Sequence, residues 1–181
     1  MQVARDIKLL FAGPMGAGKT TAIAAISDAP PIQTEAANLD QQQSRKAETT
    51  VGMDYGEARL PQGERLRLYG LPGQVRFDFM WKILAEGALG VVLLADNSRP
   101  QAVEELGLYL DRLDGLAKAA AMVIGVGRLE AGSARITDYT DWLQRRGLCL
   151  PVFAVDVRQR EDVLLLLEVL LQQIETREML A

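Results

Sequence analysis

Eight consecutive residues, Gly13-Pro14-Met15-Gly16-Ala17-Gly18-Lys19-Thr20, satisfy the pattern G-x-x-x-x-G-K-[ST] at every fixed position. The chemistry open to such a set is the holding of a polyphosphate. The glycines let the backbone bend so that successive N–H groups point inward, Lys19 would reach the β- and γ-phosphates, and the Thr20 hydroxyl would take a place on Mg²⁺. That arrangement needs a strand to lead into the loop and a helix to leave it. The apolar run at 7–12 supplies the first, and the residues from Thr21 onward can continue the second, with the positive end of the helix facing the same anions.

Composition bounds what surrounds this loop. At 181 residues the chain is read as one domain over 1–181, long enough to bury a core without disulfides or metals. With 49% apolar and 24% charged residues the composition is that of a soluble globular protein, and a net charge of −4 argues against nucleic acid as a main partner. The single cysteine, Cys149, stands between Leu148 and Leu150 and is expected to be a small buried hydrophobe; it permits no internal disulfide, which agrees with a reducing cytoplasm. The start lacks the apolar core of a signal peptide, Gln2 stands where myristoylation needs glycine, and the last residues hold no prenylatable cysteine, so no lipid anchor is expected. The longest mainly apolar stretches, 87–95 and 163–171, fall short of the ~20 residues that span a bilayer. Histidine is absent, which removes the commonest general base and a common zinc ligand.

Strand-like runs at 7–12, 91–95, 122–126 and 152–155 alternate with segments of helical spacing, the pattern of a parallel sheet covered on both faces. Residues 53–60 and 65–71 flank the turn Pro61-Gln62-Gly63-Glu64 and read as an antiparallel hairpin. The expected architecture is an α/β P-loop NTPase fold with a six-stranded mixed sheet, one antiparallel edge strand, and helices at 19–27, 76–86, 101–116, 133–146 and 160–177. In the last helix, residues 163, 166, 167, 170, 171 and 174 form an apolar stripe that Leu164, Leu165 and Val169 widen. Deeper packing against neighbouring helices is the expected use of the extra width, and a partner surface is the other. Segment 30–49 is polar, with Gln41-Gln42-Gln43, and a loop of that length inside a compact domain is functional or disordered.

The loop, together with Thr49-Thr50-Val51-Gly52, Gly70-Leu71-Pro72-Gly73-Gln74 and the order of elements, resembles the Ras/Arf-like small GTPases, in particular their bacterial MglA-like branch, over almost the whole chain. The resemblance implies that Thr50 closes over Mg²⁺ and the γ-phosphate, that the Gly73 N–H meets the γ-phosphate, and that Gln74 orients the attacking water. It implies a GTP-binding switch hydrolysing on the order of 10⁻⁴ s⁻¹ without an activator, hence a protein partner, with a roadblock-domain protein suggested for this branch. A degenerate module that binds nucleotide without hydrolysis and a small-molecule P-loop kinase are the competing classes; the hairpin and the Gly-Gln pair speak against the kinase.

Three positions depart from that family. Gly70 stands where an Asp holds Mg²⁺ through water, and hairpin folding sets Asp54 opposite Gly70 or Leu71, so Asp54 is either the replacement carboxylate or an ordinary strand-end residue. The box that reads guanine corresponds to Gly127-Arg128-Leu129-Glu130, in which Arg128 can stack and Glu130 can accept the two donors of the base edge. Asp156-Val157-Arg158 corresponds to a further base-contacting turn, with the Val157 N–H on the base oxygen, unless Asp156 instead caps the following helix. Met15 replaces a glycine and constrains the approach of an activator. After Gln74, the segment 75–82 is dense in aromatics; Phe77, Met80 and Trp81 can share one helical face, read as partly a partner surface of the 75–86 helix.

Overall fold

The computed structural model of the chain describes residues 5–34, 53–73, 78–113, 120–130 and 134–180. Seven strands, β1 (Asp6–Ala12), β2 (Ile32–Thr34), β3 (Met53–Arg59), β4 (Arg65–Gly70), β5 (Gly90–Asp96), β6 (Ala121–Gly127) and β7 (Val152–Ala154), form one sheet in the order β2-β3-β4-β1-β5-β6-β7. From β4 to β7 neighbouring strands are parallel, whereas β3 runs antiparallel to both β4 and β2. This is the mixed α/β architecture expected of a P-loop NTPase, with one strand more than the sequence reading counted. The added strand, β2, lies outside β3, so the antiparallel strand sits one place in from the edge.

Five helices cover the sheet among the described residues: α1 (Lys19–Ile26), α2 (Asp78–Ala85), α3 (Ala102–Arg112), α4 (Ile136–Arg145) and α5 (Arg160–Leu180). Alternate residues of β1 point to opposite faces and build two cores. Ile7, Leu9 and Phe11 pack with Ile23 and Ile26 of α1 and with Leu166 and Leu170 of α5. Leu10 and Ala12 pack on the other face with Trp81 of α2, Leu106 and Leu110 of α3, and Tyr139 and Leu143 of α4. Every residue of β5 is buried, as a central strand covered twice must be, while β3 and β4 alternate between buried and half-buried positions up to exposed Arg59 at the end of β3.

Two expectations about apolar residues need correction. Cys149 is exposed, because Leu148 and Leu150 on either side turn inward against the second core and leave the residue between them facing solvent. Leu164 and Leu165 are about two-fifths exposed, at 42% and 41%, so only Val169 of the three extra apolar positions packs against the core. Helix α5 turns its stripe at Val163, Leu166, Leu167, Leu170 and Ile174 to the sheet, and residues 164 and 165 fall between its rows. No described helix is long and apolar enough to cross a membrane.

Candidate functional site

The carboxyl ends of the parallel strands meet the Gly13–Thr20 loop, where open α/β sheets bind ligands. In the loop, Gly13, Gly16 and Gly18 all hold positive φ, at 138°, 84° and 94°. The first helical bond runs from the Ala22 N–H to the Gly18 carbonyl at 2.8 Å, so α1 begins directly behind the loop. Lys19 folds back over it, its Nζ donating to the carbonyls of Gly13 and Pro14, both at 2.9 Å. Burial pushes the Lys19 ammonium down to about 8, against the opposing pull of the Asp54 carboxylate.

Hairpin register decides the next feature. Strand β3 pairs with β4 so that Asp54 lies opposite Gly70, while Gly70 pairs on its other side with Phe11 of β1. Asp54 is 6% exposed, and its Oδ2 accepts the Thr20 hydroxyl at 2.5 Å. Its side chain lies over Gly70: a Cβ built there would stand 3.0 Å from Asp54 Oδ2 and 3.1 Å from Asp54 Cβ. The missing side chain at 70 and the carboxylate at 54 therefore fill one space. A hydroxyl and a carboxylate are hard oxygen donors, and Mg²⁺ characteristically takes one or two protein carboxylates, with phosphates and water completing its shell. The residues present thus fit that ion, and no cluster of three or more His, Cys, Asp or Glu capable of holding a metal occurs among the described residues.

Gly73 rests on the loop itself. A Cβ at that position would come within 2.5 Å of the Met15 backbone nitrogen and 2.8 Å of the Pro14 carbonyl carbon, so only glycine allows the approach. Met15 projects outward and is 67% exposed. Thr50 and Gln74 lie outside the described residues.

Beside the loop, a cavity of about 610 Å³ opens at the ends of β5, β6 and β7, within the usual size of a nucleotide or cofactor site. Ala17, Gly18 and Thr21 form its phosphate-loop wall, and Arg128, Leu129 and the turn Asp156-Val157-Arg158 form the others. Val157 packs against Gly18. Arg128, with φ 56°, turns its guanidinium across the cavity wall to the Asp96 carboxylate and to the Gly16 carbonyl, the latter at 2.9 Å. It ties the end of β5 to the loop. Burial works against the charge of Asp96, but hydrogen bonds from Ser98 and Arg128 outweigh it and hold that carboxyl below the usual range. Arg158 pairs with Asp156 and draws its carboxyl down to about 2. The Asp156 carboxylate accepts the Arg158 N–H at 3.0 Å within the turn instead of an N–H of α5, and the Asp156 N–H donates to the Asp162 carboxylate in the first turn of α5 at 2.7 Å, which ties the turn to that helix. Glu130 is exposed and stands outside the cavity lining.

Asp96 is the site residue that sequence reasoning missed. Its signal was a carboxylate closing the apolar run Val91-Val92-Leu93-Leu94-Ala95, at the end of a strand where ligands bind.

Loop, sheet order and cavity together define a nucleotide-binding P-loop protein of the mixed α/β class. The chain belongs to the family described as conserved hypothetical ATP binding protein, whose family model matches residues 30–123, just over half of the 181 residues. The matched segment runs from just before β2 into β6 and follows the phosphate loop in the chain. No curated protein matches the chain.

Lys19 yields a pH test. Its ammonium, with a value of about 8, is mostly charged at pH 7 and half charged near pH 8, and a bound triphosphate would favour the charged form, so binding at higher pH must take up a proton. Triphosphate affinity is expected to be level from pH 6 to 7.5 and to fall above pH 8, with a slope approaching tenfold per pH unit, as measured by titration calorimetry. Lys19→Arg should flatten the profile, since a guanidinium stays charged throughout, and Lys19→Ala should abolish binding at every pH.

Proposed function

We propose that this protein is a Mg²⁺-dependent, GTP-binding switch with slow, partner-stimulated hydrolysis, acting as one unit over residues 1–181. The observation that carries the reading is the Asp54 carboxylate on the Thr20 hydroxyl, filling the space that Gly70 leaves. With that carboxylate in place the metal side of the loop is complete without an Asp at position 70.

In this reading Lys19, the loop N–H groups and Thr21 hold the phosphates, and Thr20 ligates Mg²⁺ while Asp54 accepts from a water of its shell. The ion, when bound, neutralises charge on the β- and γ-phosphates. The Gly73 N–H meets the γ-phosphate; Thr50 closes over it, and Gln74 orients the water. Arg128 covers one face of the base and braces the loop through Gly16, while the Val157 N–H and Glu130 read its edge. The resemblance to Ras/Arf-like, MglA-like proteins supports a switch whose partner, a roadblock-type protein in that branch, meets α2. Trp81 is buried, so Ile83, 66% exposed, and half-buried Met80 would form that contact.

A second reading takes ATP as the nucleotide. It is favoured by the description of the family and by the position of Glu130 outside the cavity lining.

Two experiments divide these readings. Asp54→Ala should weaken triphosphate binding at least about tenfold in Mg²⁺, the scale of a lost hydrogen bond to a charged group, and change it little in EDTA. Gly70→Asp alone should be destabilised by crowding against Asp54, whereas the exchange Asp54→Gly with Gly70→Asp should recover part of the Mg²⁺-dependent affinity. Losses that are equal with and without the metal would remove Asp54 from the metal side. For the base, Glu130→Ala should cost GTP roughly 1.5–3 kcal/mol and leave ATP unchanged; an unchanged GTP affinity, with ATP binding as tightly, establishes the second reading.

A further inference from the structure

The segment that brings Gly73 to the loop is held by two aromatic side chains that the nucleotide does not touch in any reading above. Trp81, on α2 and 4% exposed, donates its indole N–H to the Pro72 carbonyl at 3.0 Å. Tyr109, on α3 and 5% exposed, donates its hydroxyl to the Gly73 carbonyl at 3.1 Å. The two rings stack on each other with centroids 5.8 Å apart and planes at 30°, and the Arg112 guanidinium lies over both, 6.0 Å from the indole and 5.2 Å from the phenol. Both carbonyls flanking the Gly73 N–H are thereby fixed from the core side by a single packed unit.

Peptide geometry makes the consequence specific. No described peptide bond is cis, and in a trans peptide the C=O and N–H point in opposite directions. Pinning the Pro72 carbonyl on the buried indole therefore turns the Gly73 N–H out of the core. Gly73 itself rests on the Pro14–Met15 peptide, so that N–H is presented beside the phosphate loop. Without the indole bond the Pro72–Gly73 peptide loses the anchor on its own carbonyl, and a donor that has to be oriented at the moment of binding loses part of its value.

We infer that Trp81 and Tyr109 are positioning residues for a γ-phosphate sensor: they preset the Gly73 N–H and so set the preference for nucleoside triphosphate over diphosphate. The inference rests on the assignment of Gly73 as the γ-phosphate donor, and it adds a regulatory path, because α2 and α3 then hold the sensor from behind. A partner that shifts either helix would move the donor without reaching the nucleotide.

The test compares a non-hydrolysable β,γ-imido triphosphate with the matching diphosphate, each as the guanine and the adenine compound, by calorimetric titration in Mg²⁺. Trp81→Phe keeps a ring but loses the N–H, and Tyr109→Phe loses only the hydroxyl. Each is expected to weaken triphosphate binding about 3- to 10-fold, the range of one neutral hydrogen bond, with diphosphate affinity within about twofold of wild type. The double variant should lose less than the product of the two, because both bonds hold one segment. Equal losses for triphosphate and diphosphate, or no loss for triphosphate, would overturn the inference. If Trp81→Phe does not fold, Tyr109→Phe decides alone, since it leaves the packed ring in place. Triphosphate binding by Lys19→Ala at wild-type affinity would instead reject the phosphate-loop reading beneath it.

Discussion

Burial of the Asp54 carboxylate beneath the phosphate loop is the constraint on which the rest of the site depends. A carboxylate only 6% exposed must be given donors, and Asp54 finds the Thr20 hydroxyl at the start of α1. Three elements are fixed by that one bond: β3, which carries the acid; α1, which carries the hydroxyl; and β4, which has to give up a side chain at Gly70 to make room. Hairpin register is therefore a chemical matter here. A slip of one residue would turn Asp54 to the other face of the sheet and leave Thr20 without its acceptor.

The same economy governs the charges around the loop. Lys19 is held by two loop carbonyls and Arg128 by Asp96 and the Gly16 carbonyl, so both cations are fixed in place by groups of the protein itself. Groups held in this way need little reorganisation when a ligand binds. Asp96 keeps its own negative charge despite burial because Ser98 and Arg128 both donate to it, and Asn97 beside it is anchored by the Tyr139 hydroxyl at 2.8 Å. The end of β5 is thus anchored on the second core, as the Pro72–Gly73 segment is.

Local patterns wrote much of this fold into the chain. The phosphate loop, the approximate positions of the five helices and the placing of Asp54 opposite Gly70 or its neighbour Leu71 follow from short-range signals: fixed glycine spacing, apolar period, and a turn containing Gly63; the register itself settles on Gly70. Features that escaped are tertiary. Strand β2 is three residues, Ile32-Gln33-Thr34, too short to show a period, and it exists as a strand because β3 offers an edge. Cys149 lay in an apolar run, yet its exposure is decided by which neighbours turn inward. Trp81 read as part of a partner surface, but its indole is buried and spent on Pro72, a carbonyl nine residues earlier that no helical wheel reveals. Glu130 followed from aligning a box onto the sequence, and its place outside the cavity lining is set by the fold around it.

The role of Asp54 depends on where its carboxylate points once a nucleotide is bound. The direct measurement is a crystal structure of the full chain with Mg²⁺ and a non-hydrolysable triphosphate. If Asp54 completes the metal side, the Thr20 hydroxyl is expected to turn from Asp54 onto the metal, with the Asp54 carboxylate accepting from a metal-bound water above Gly70. A metal shell completed without Asp54, with that carboxylate directed away from the ion, would contradict that role.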